Sequence, residues 1–320
     1  MFKFSVALVI VLLFLPSQTF ARNDSGFIAG RDFNYYSATR QFFDIADSAV
    51  SFARVRLAGI LRDSIDYRPD IYIEDNLNDF KERIGASVPD WGAAVAMPYK
   101  RMIVVKSPAH FRLGKSLYEL LLHEYAHLAL ENRLNHVRPP RWLDEGLAMY
   151  TSYEWGWAGN ITLSQAVVLG NLVPLRDIEN LNRFSGGKAQ LAYAQSYMAV
   201  RFLLDAYGVE SFNILLDSLK SRRSVDEALM AATGSDYSGF EREYVDFLKS
   251  RFNLLTIIAN MSYLWLFLAV VVVVGFILAF RKKKKYYKKW EEEEKYQSTD
   301  FDYGDPDSPE KADDEDKPWL

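Results

Sequence analysis

Ser116-Leu-Tyr-Glu-Leu-Leu-Leu-His123-Glu124-Tyr-Ala-His127-Leu-Ala-Leu130 decides the fold of this chain. The stretch reads as a strongly apolar helix, and it carries two of the four histidines in 320 residues. On a helix, positions i and i+4 stack one turn apart on one face, so the imidazoles of His123 and His127 reach one point in space, with Glu124 about 100° round the axis. Two neutral nitrogen donors with a carboxylate beside them suit a zinc ion whose open position is served by a base. The plain alternative is an amphipathic helix whose histidines are incidental. Leu120, Leu121, Leu128 and Leu130 make that costly, because buried imidazoles need partners.

A catalytic zinc takes three protein ligands and keeps one position open. Past His127, two prolines stop a loop and a second helix begins that puts Glu145 18 residues after His127: Pro139-Pro140-Arg-Trp-Leu-Asp144-Glu145-Gly-Leu-Ala-Met-Tyr150. Adjacent carboxylates inside an apolar helix fit metal coordination by Glu145, with Asp144 hydrogen-bonding a histidine ligand or the backbone. Otherwise the pair sits on a solvated stripe where the helix dipole favours acids. The extended pattern His-Glu-x-x-His-x-x-Gly-x-x-His fails, since Leu130 and Arg133 occupy the Gly and His positions. His136, in a connection, and His110, in the loop before the helix, are weaker ligand candidates.

His123-Glu124-x-x-His127 followed by Trp142-x-x-Glu145-Gly146-x-Ala148 resembles the gluzincin metallopeptidases, in particular the bacterial peptidase MA-like domain. The resemblance extends to Tyr193-Ala194-Gln195-Ser196, Tyr207-Gly208, Asp226-Glu227-Ala228-Leu229 and Thr233-Gly234. It implies a zincin-like α+β fold with a small sheet-containing upper lobe, two zinc-ligand helices and a mainly helical lower lobe. It implies Zn²⁺ on His123, His127 and Glu145, Glu124 as general base, and a peptide or protein substrate. Better-known gluzincins often carry an acid four residues after the ligand glutamate; here that residue is Met149, and Asp144 is the candidate to take over its duty.

A developing oxyanion needs a donor such as Tyr or His. No histidine follows His136, so Tyr193 and Tyr197 are the candidates, on a helix from about residue 190 to 207 that puts both on one face. Tyr193 is favoured as the catalytic one, against plain aromatic packing in a chain with 19 tyrosines.

Two apolar segments set the topology. Residues 1–21 read as a signal peptide, with Lys3, an apolar run from Phe4 to Leu15 and small residues before Ala21. The uncharged run 254–280 exceeds the roughly 20 residues needed to cross hydrocarbon, and Arg281-Lys-Lys-Lys-Lys285 places its far flank in the cytoplasm. Residues 22–252 are then an extracytoplasmic domain on a single-pass anchor, at a bacterial periplasmic membrane or cell surface. The tail, 281–320, holds 10 basic and 13 acidic residues. It reads as disordered after a short helix, its basic block against anionic lipid.

The outer domain has 27 Lys/Arg against 29 Asp/Glu, which excludes an electrostatic nucleic-acid footprint. There is no cysteine, so a thiol is neither nucleophile nor ligand. Oligomeric state is not legible. Residues 33–61 read as one long amphipathic helix, 70–74 as a strand, 76–84 as a helix, and 93–97 with 102–105 as a hairpin just before the metal helix. These features favour a membrane-anchored zinc metallopeptidase over a catalytically silent peptidase-like scaffold, which would have no use for Glu124.

Overall fold

The computed structural model describes residues 26–63, 65–85, 92–252 and 262–296, and the chain divides into two units, Met1–Ile257 and Ile258–Leu320. In the first unit, the alternating segment Asp70–Glu74 (β3) is the centre of a five-stranded sheet. The other strands are Gly26–Ala29 (β1), Asn34–Ser37 (β2), Ala94–Met97 (β4) and Met102–Lys106 (β5), in the order β1-β2-β3-β5-β4. The three inner strands run parallel, and each edge strand is antiparallel to its neighbour. β5 is buried on both faces: Ile103 and Val105 join the main core, while Met102 and Val104 meet Phe80 and Ile84. A strand covered on both sides needs this continuous apolar run.

The single helix expected over 33–61 is corrected. Asn34–Ser37 is a strand, and the helix (α1) runs from Phe43 to Leu61. Period-two packing overrides the helical pattern here: Tyr35 is buried in the core, while Tyr36, its neighbour, stacks on Tyr72 of β3 with ring centroids 4.4 Å apart. The Asn34 amide also donates to Asp70 Oδ1 at 2.8 Å, fixing the register. The expected strand at 70–74, the hairpin of β4 and β5, and the helix Leu77–Ile84 (α2) are found where the sequence put them.

Leu117–Arg133 (α3) carries the His-Glu-x-x-His motif and begins with reciprocal capping, the Ser116 side chain accepting from the Glu119 N–H and the Glu119 carboxylate accepting from the Ser116 N–H. Arg141–Thr151 (α4) starts directly after Pro140, and Glu179 Oε1 accepts its first N–H at 2.7 Å. Beyond it lie Trp157–Leu169 (α5), a 3₁₀ segment Leu175–Arg183, Gly186–Lys220 (α6), Val225–Thr233 (α7) and Tyr237–Arg251 (α8). The helix expected at about 190–207 is the first half of α6; Gly208, at φ 81°, breaks the helical path before it resumes. Gln195 is buried on α6 and exchanges two 2.8 Å hydrogen bonds with the Val173 backbone, pinning the loop after α5.

α4 meets α6 at Gly146, where a Cβ would lie 2.2 Å from the Ser196 carbonyl oxygen. Backbone cannot give way as a flexible side chain does, so Gly146→Ala should cost about 2–3 kcal/mol. The melting temperature should fall by roughly 5 °C or more. An unchanged melt would show that the two helices do not approach this closely.

Among the described residues, the second unit holds one helix, Ser262–Tyr296 (α9), of 35 residues, about 50 Å long at 1.5 Å per residue. Its stretch from Leu264 is long and apolar enough to cross a bilayer. Helix continues unbroken through Arg281–Lys285 to Tyr296, so the first part of the expected tail is helical. The expected signal peptide, the start of the expected span at 254–261 and the tail beyond 296 lie outside the described residues.

Candidate metal centre

α3 and α4 pack against each other, and this brings His123, His127 and Glu145 together. One ligand atom from each lies within 4.8 Å of the other two. His123 Nε2 stands 3.5 Å from Glu145 Oε2. The opposite nitrogen of each ring is held by a carboxylate: His123 Nδ1 meets Glu154 Oε1 at 2.7 Å, and His127 Nδ1 meets Asp144 Oδ1 at 2.6 Å. This pairing fixes both rings with Nε2 turned toward the shared point, the arrangement that orients metal-binding imidazoles. The donor set of two imidazoles and one carboxylate fits Zn²⁺.

Charges around the site are tightly matched. Burial drags His123 down, but the Glu145 and Glu154 carboxylates more than offset it and lift the imidazole to about 10. Burial opposes protonation of His127 as well, and Asp144 outweighs it, leaving the group raised. For Glu145, burial favours the neutral acid, but the His123 hydrogen bond and the charges of His127 and Arg141 bring it down to about 2. Glu154 is brought to about 2 in the same way by His123 and Lys115. Arg141 Nη2 contacts Glu145 Oε1 at 2.6 Å, so one oxygen of that carboxylate is steered by the guanidinium while the other faces the histidines.

Glu124 is buried, and its Oε2 accepts the Ala96 backbone N–H at 2.6 Å. Ala96 lies on β4, an edge strand. The Lys106 N–H bonds the Ala93 carbonyl, and the antiparallel register then leaves the backbone groups of Ala94 and Ala96 pointing away from β5. The candidate base is thus tied to a row of strand-edge hydrogen-bonding groups.

Tyr193, on the first half of α6, is half-buried within electrostatic range of Glu145, Arg141, Glu124 and Glu154. Burial and then Glu145 push its hydroxyl above the usual phenol range, and Arg141 works against them. Tyr197, one turn on, stacks on Trp155 with centroids 4.7 Å apart and belongs to the core. His136 pairs with Glu131 at 2.8 Å, His110 lies 3.8 Å from Asp75, and neither is brought to the cluster.

The residue sequence reasoning missed is Glu154. It reaches His123 because Tyr153, at φ 56°, turns the chain back after α4, and the Glu154 N–H bonds the Met149 carbonyl. The Ser152 hydroxyl donates to Glu154 Oε1 at 2.8 Å, and Lys115 pairs with the other carboxylate oxygen. Its one sequence signal was position: Glu154 is the last charge before an uncharged stretch from Trp155 to Leu175.

The family model of the peptidase MA superfamily matches residues 52–250. The chain belongs to the peptidase MA superfamily. No curated protein matches it. The matched stretch holds α3, α4 and the whole cluster of this peptidase MA domain. Members of the superfamily are typically zinc-dependent, which agrees with the donor set. In this domain Glu154→Gln keeps the side-chain shape and removes the charge, so zinc affinity should weaken by about 10–100-fold. Competition against a colourimetric chelator measures it. Equal affinity would show that His123 is oriented by something else.

Proposed function

We propose that this peptidase MA domain is a zinc metallopeptidase, anchored by the apolar C-terminal helix and acting on the extracytoplasmic side of the membrane. The observation that carries the reading is the convergence of His123, His127 and Glu145 beside a Glu124 held on an edge strand. A structural metal site has no need of that fourth carboxylate.

His123, His127 and Glu145 would hold the ion. Bound Zn²⁺ supplies Lewis-acid polarisation of the peptide carbonyl and acidifies water. Asp144 and Glu154 keep the two rings in the tautomer that presents Nε2. The outward backbone groups of Ala94 and the Ala96 carbonyl pair with the backbone of an extended peptide, which sets the scissile bond along β4. Glu124 takes a proton from the attacking water on its carboxylate and passes it to the leaving amine. Tyr193 donates to the oxyanion from α6. The anchoring reading rests on the length and uncharged composition of α9 and on the five cations that follow it.

Full-length protein in detergent micelles, incubated with zinc and an unfolded protein, should cleave it. A chelator should abolish cleavage, and added zinc should restore it. Stoichiometric zinc without hydrolysis of any member of a broad peptide library would favour the rival reading, a scaffold that binds and does not cut.

A further inference from the structure

α4 ends at Thr151, and the residues just after it decide where Glu154 lies. Tyr153 adopts φ 56°, a left-handed backbone that a bulky aromatic residue rarely takes without support. The core gives it little, because Tyr153 is 59 % exposed. Its support comes from α1. The Phe52 ring centre stands 6.1 Å from that of Tyr153. Arg56, one turn further along α1, lies over the Tyr153 ring at 4.2 Å and donates from Nη1 to its hydroxyl at 2.6 Å.

The same guanidinium holds the other end of the turn. It lies 4.8 Å from the centre of the Tyr150 ring, and Nη2 donates to the Tyr150 carbonyl at 3.1 Å. That carbonyl belongs to the last turn of α4, where a helix leaves acceptors unsatisfied and a cation is favoured. One planar fork thus fixes both Tyr150 and Tyr153, which bracket the end of α4. The Arg56 Nε is buried without an acceptor, so the guanidinium carries a cost here that its contacts with the turn must offset. The next residue along the chain is Glu154, whose carboxylate meets His123 Nδ1 at 2.7 Å. Ser152 and Lys115 grip that carboxylate once it has arrived. Arg56 sets the backbone that delivers it.

We propose that Arg56 is a positioning residue of the metal centre. From α1 it locks the turn between Tyr150 and Tyr153, which aims Glu154 at His123 and so orients that ring toward the ion. It acts through Glu154 and is not itself a ligand. The inference rests on the zinc reading given above. A plain packing role for Arg56 is the competing account.

Zinc affinity of the full-length protein in detergent micelles, read by chelator competition, tests the proposal without any turnover. Arg56→Ala should bind zinc about 10-fold more weakly, as when an orienting partner of a metal-binding histidine is lost. Where Glu154→Ala has already removed the carboxylate, Arg56→Ala should change the affinity by less than about two-fold. Tyr153→Asn added to Arg56→Ala should restore most of the affinity, because asparagine tolerates the left-handed backbone better than tyrosine does. Arg54→Ala, on the same helix but paired with Asp32, should bind zinc as the parent does. Should Arg56→Ala not fold, the same comparisons are made with Arg56→Lys, which keeps the charge and loses the fork. Parent-like affinity without the guanidinium, or an equal loss with and without the Glu154 carboxylate, leaves a packing role and overturns the inference while the zinc site stands. An equal loss in Arg54→Ala, or no recovery with Tyr153→Asn, overturns it likewise. A parent protein that takes up no zinc overturns both this inference and the zinc reading.

Discussion

Glu124→Gln retains stoichiometric zinc, melts within about a degree of the parent protein, and loses peptide hydrolysis. The substitution keeps the side-chain shape and, through the amide oxygen, the acceptor for the Ala96 N–H, so the edge strand and α3 stay in place. What goes is the ability to take a proton from water. General-base catalysis contributes about 10²–10⁴-fold, and the loss should fall on kcat, with KM little changed, because the outward backbone groups of β4 remain. Zinc content by metal analysis and initial rates on one reporter peptide decide it. Residual activity within a few-fold of the parent would remove Glu124 from the proton pathway and weaken the peptidase reading.

His123→Ala does the reverse. It removes a donor from the cluster and also strips Glu145 and Glu154 of their buried partner. Breaking a buried pair by deleting one member costs about 3–5 kcal/mol, so the melting temperature should drop by roughly 10 °C in a domain of this size. Zinc should fall below stoichiometry and hydrolysis to background. Comparing the two variants separates chemistry from architecture: the first is folded, loaded and silent, the second is metal-poor and less stable. Full zinc occupancy in His123→Ala would mean that other residues hold the ion.

The parts of this site that were legible lie where local rules and tertiary packing agree. His123, Glu124 and His127 share a helix, so spacing alone places them. Glu145 was legible because two prolines fix where its helix begins, and an acid pair inside an apolar pattern requires a reason. Asp144 was expected either on a histidine or on the backbone, and it meets His127. Glu154 was not legible, since its arrival at His123 depends on a left-handed residue, Tyr153, that no propensity announces. In the fold, β3, α2 and the β4–β5 hairpin follow period and turn chemistry. β2 was hidden because Phe33 to Tyr36 flows into the real helix α1 without a glycine or proline to mark the boundary. Its pairing with β1 and β3 shows it to be extended. β1 is a four-residue edge strand with little pattern to read.

The carboxylate partners of the histidines have one more consequence, visible when formal charges are counted. Around the cluster stand Glu124, Asp144, Glu145 and Glu154, balanced by Lys115 and Arg141. The remainder is minus two, the complement of one divalent cation. Without that ion, the two imidazoles are both drawn toward their protonated forms by the acids around them. Emptying the site therefore shifts positive charge toward the two rings. α3 and α4 thus carry, in the histidines themselves, groups that ease the mutual repulsion of four acids when the ion leaves.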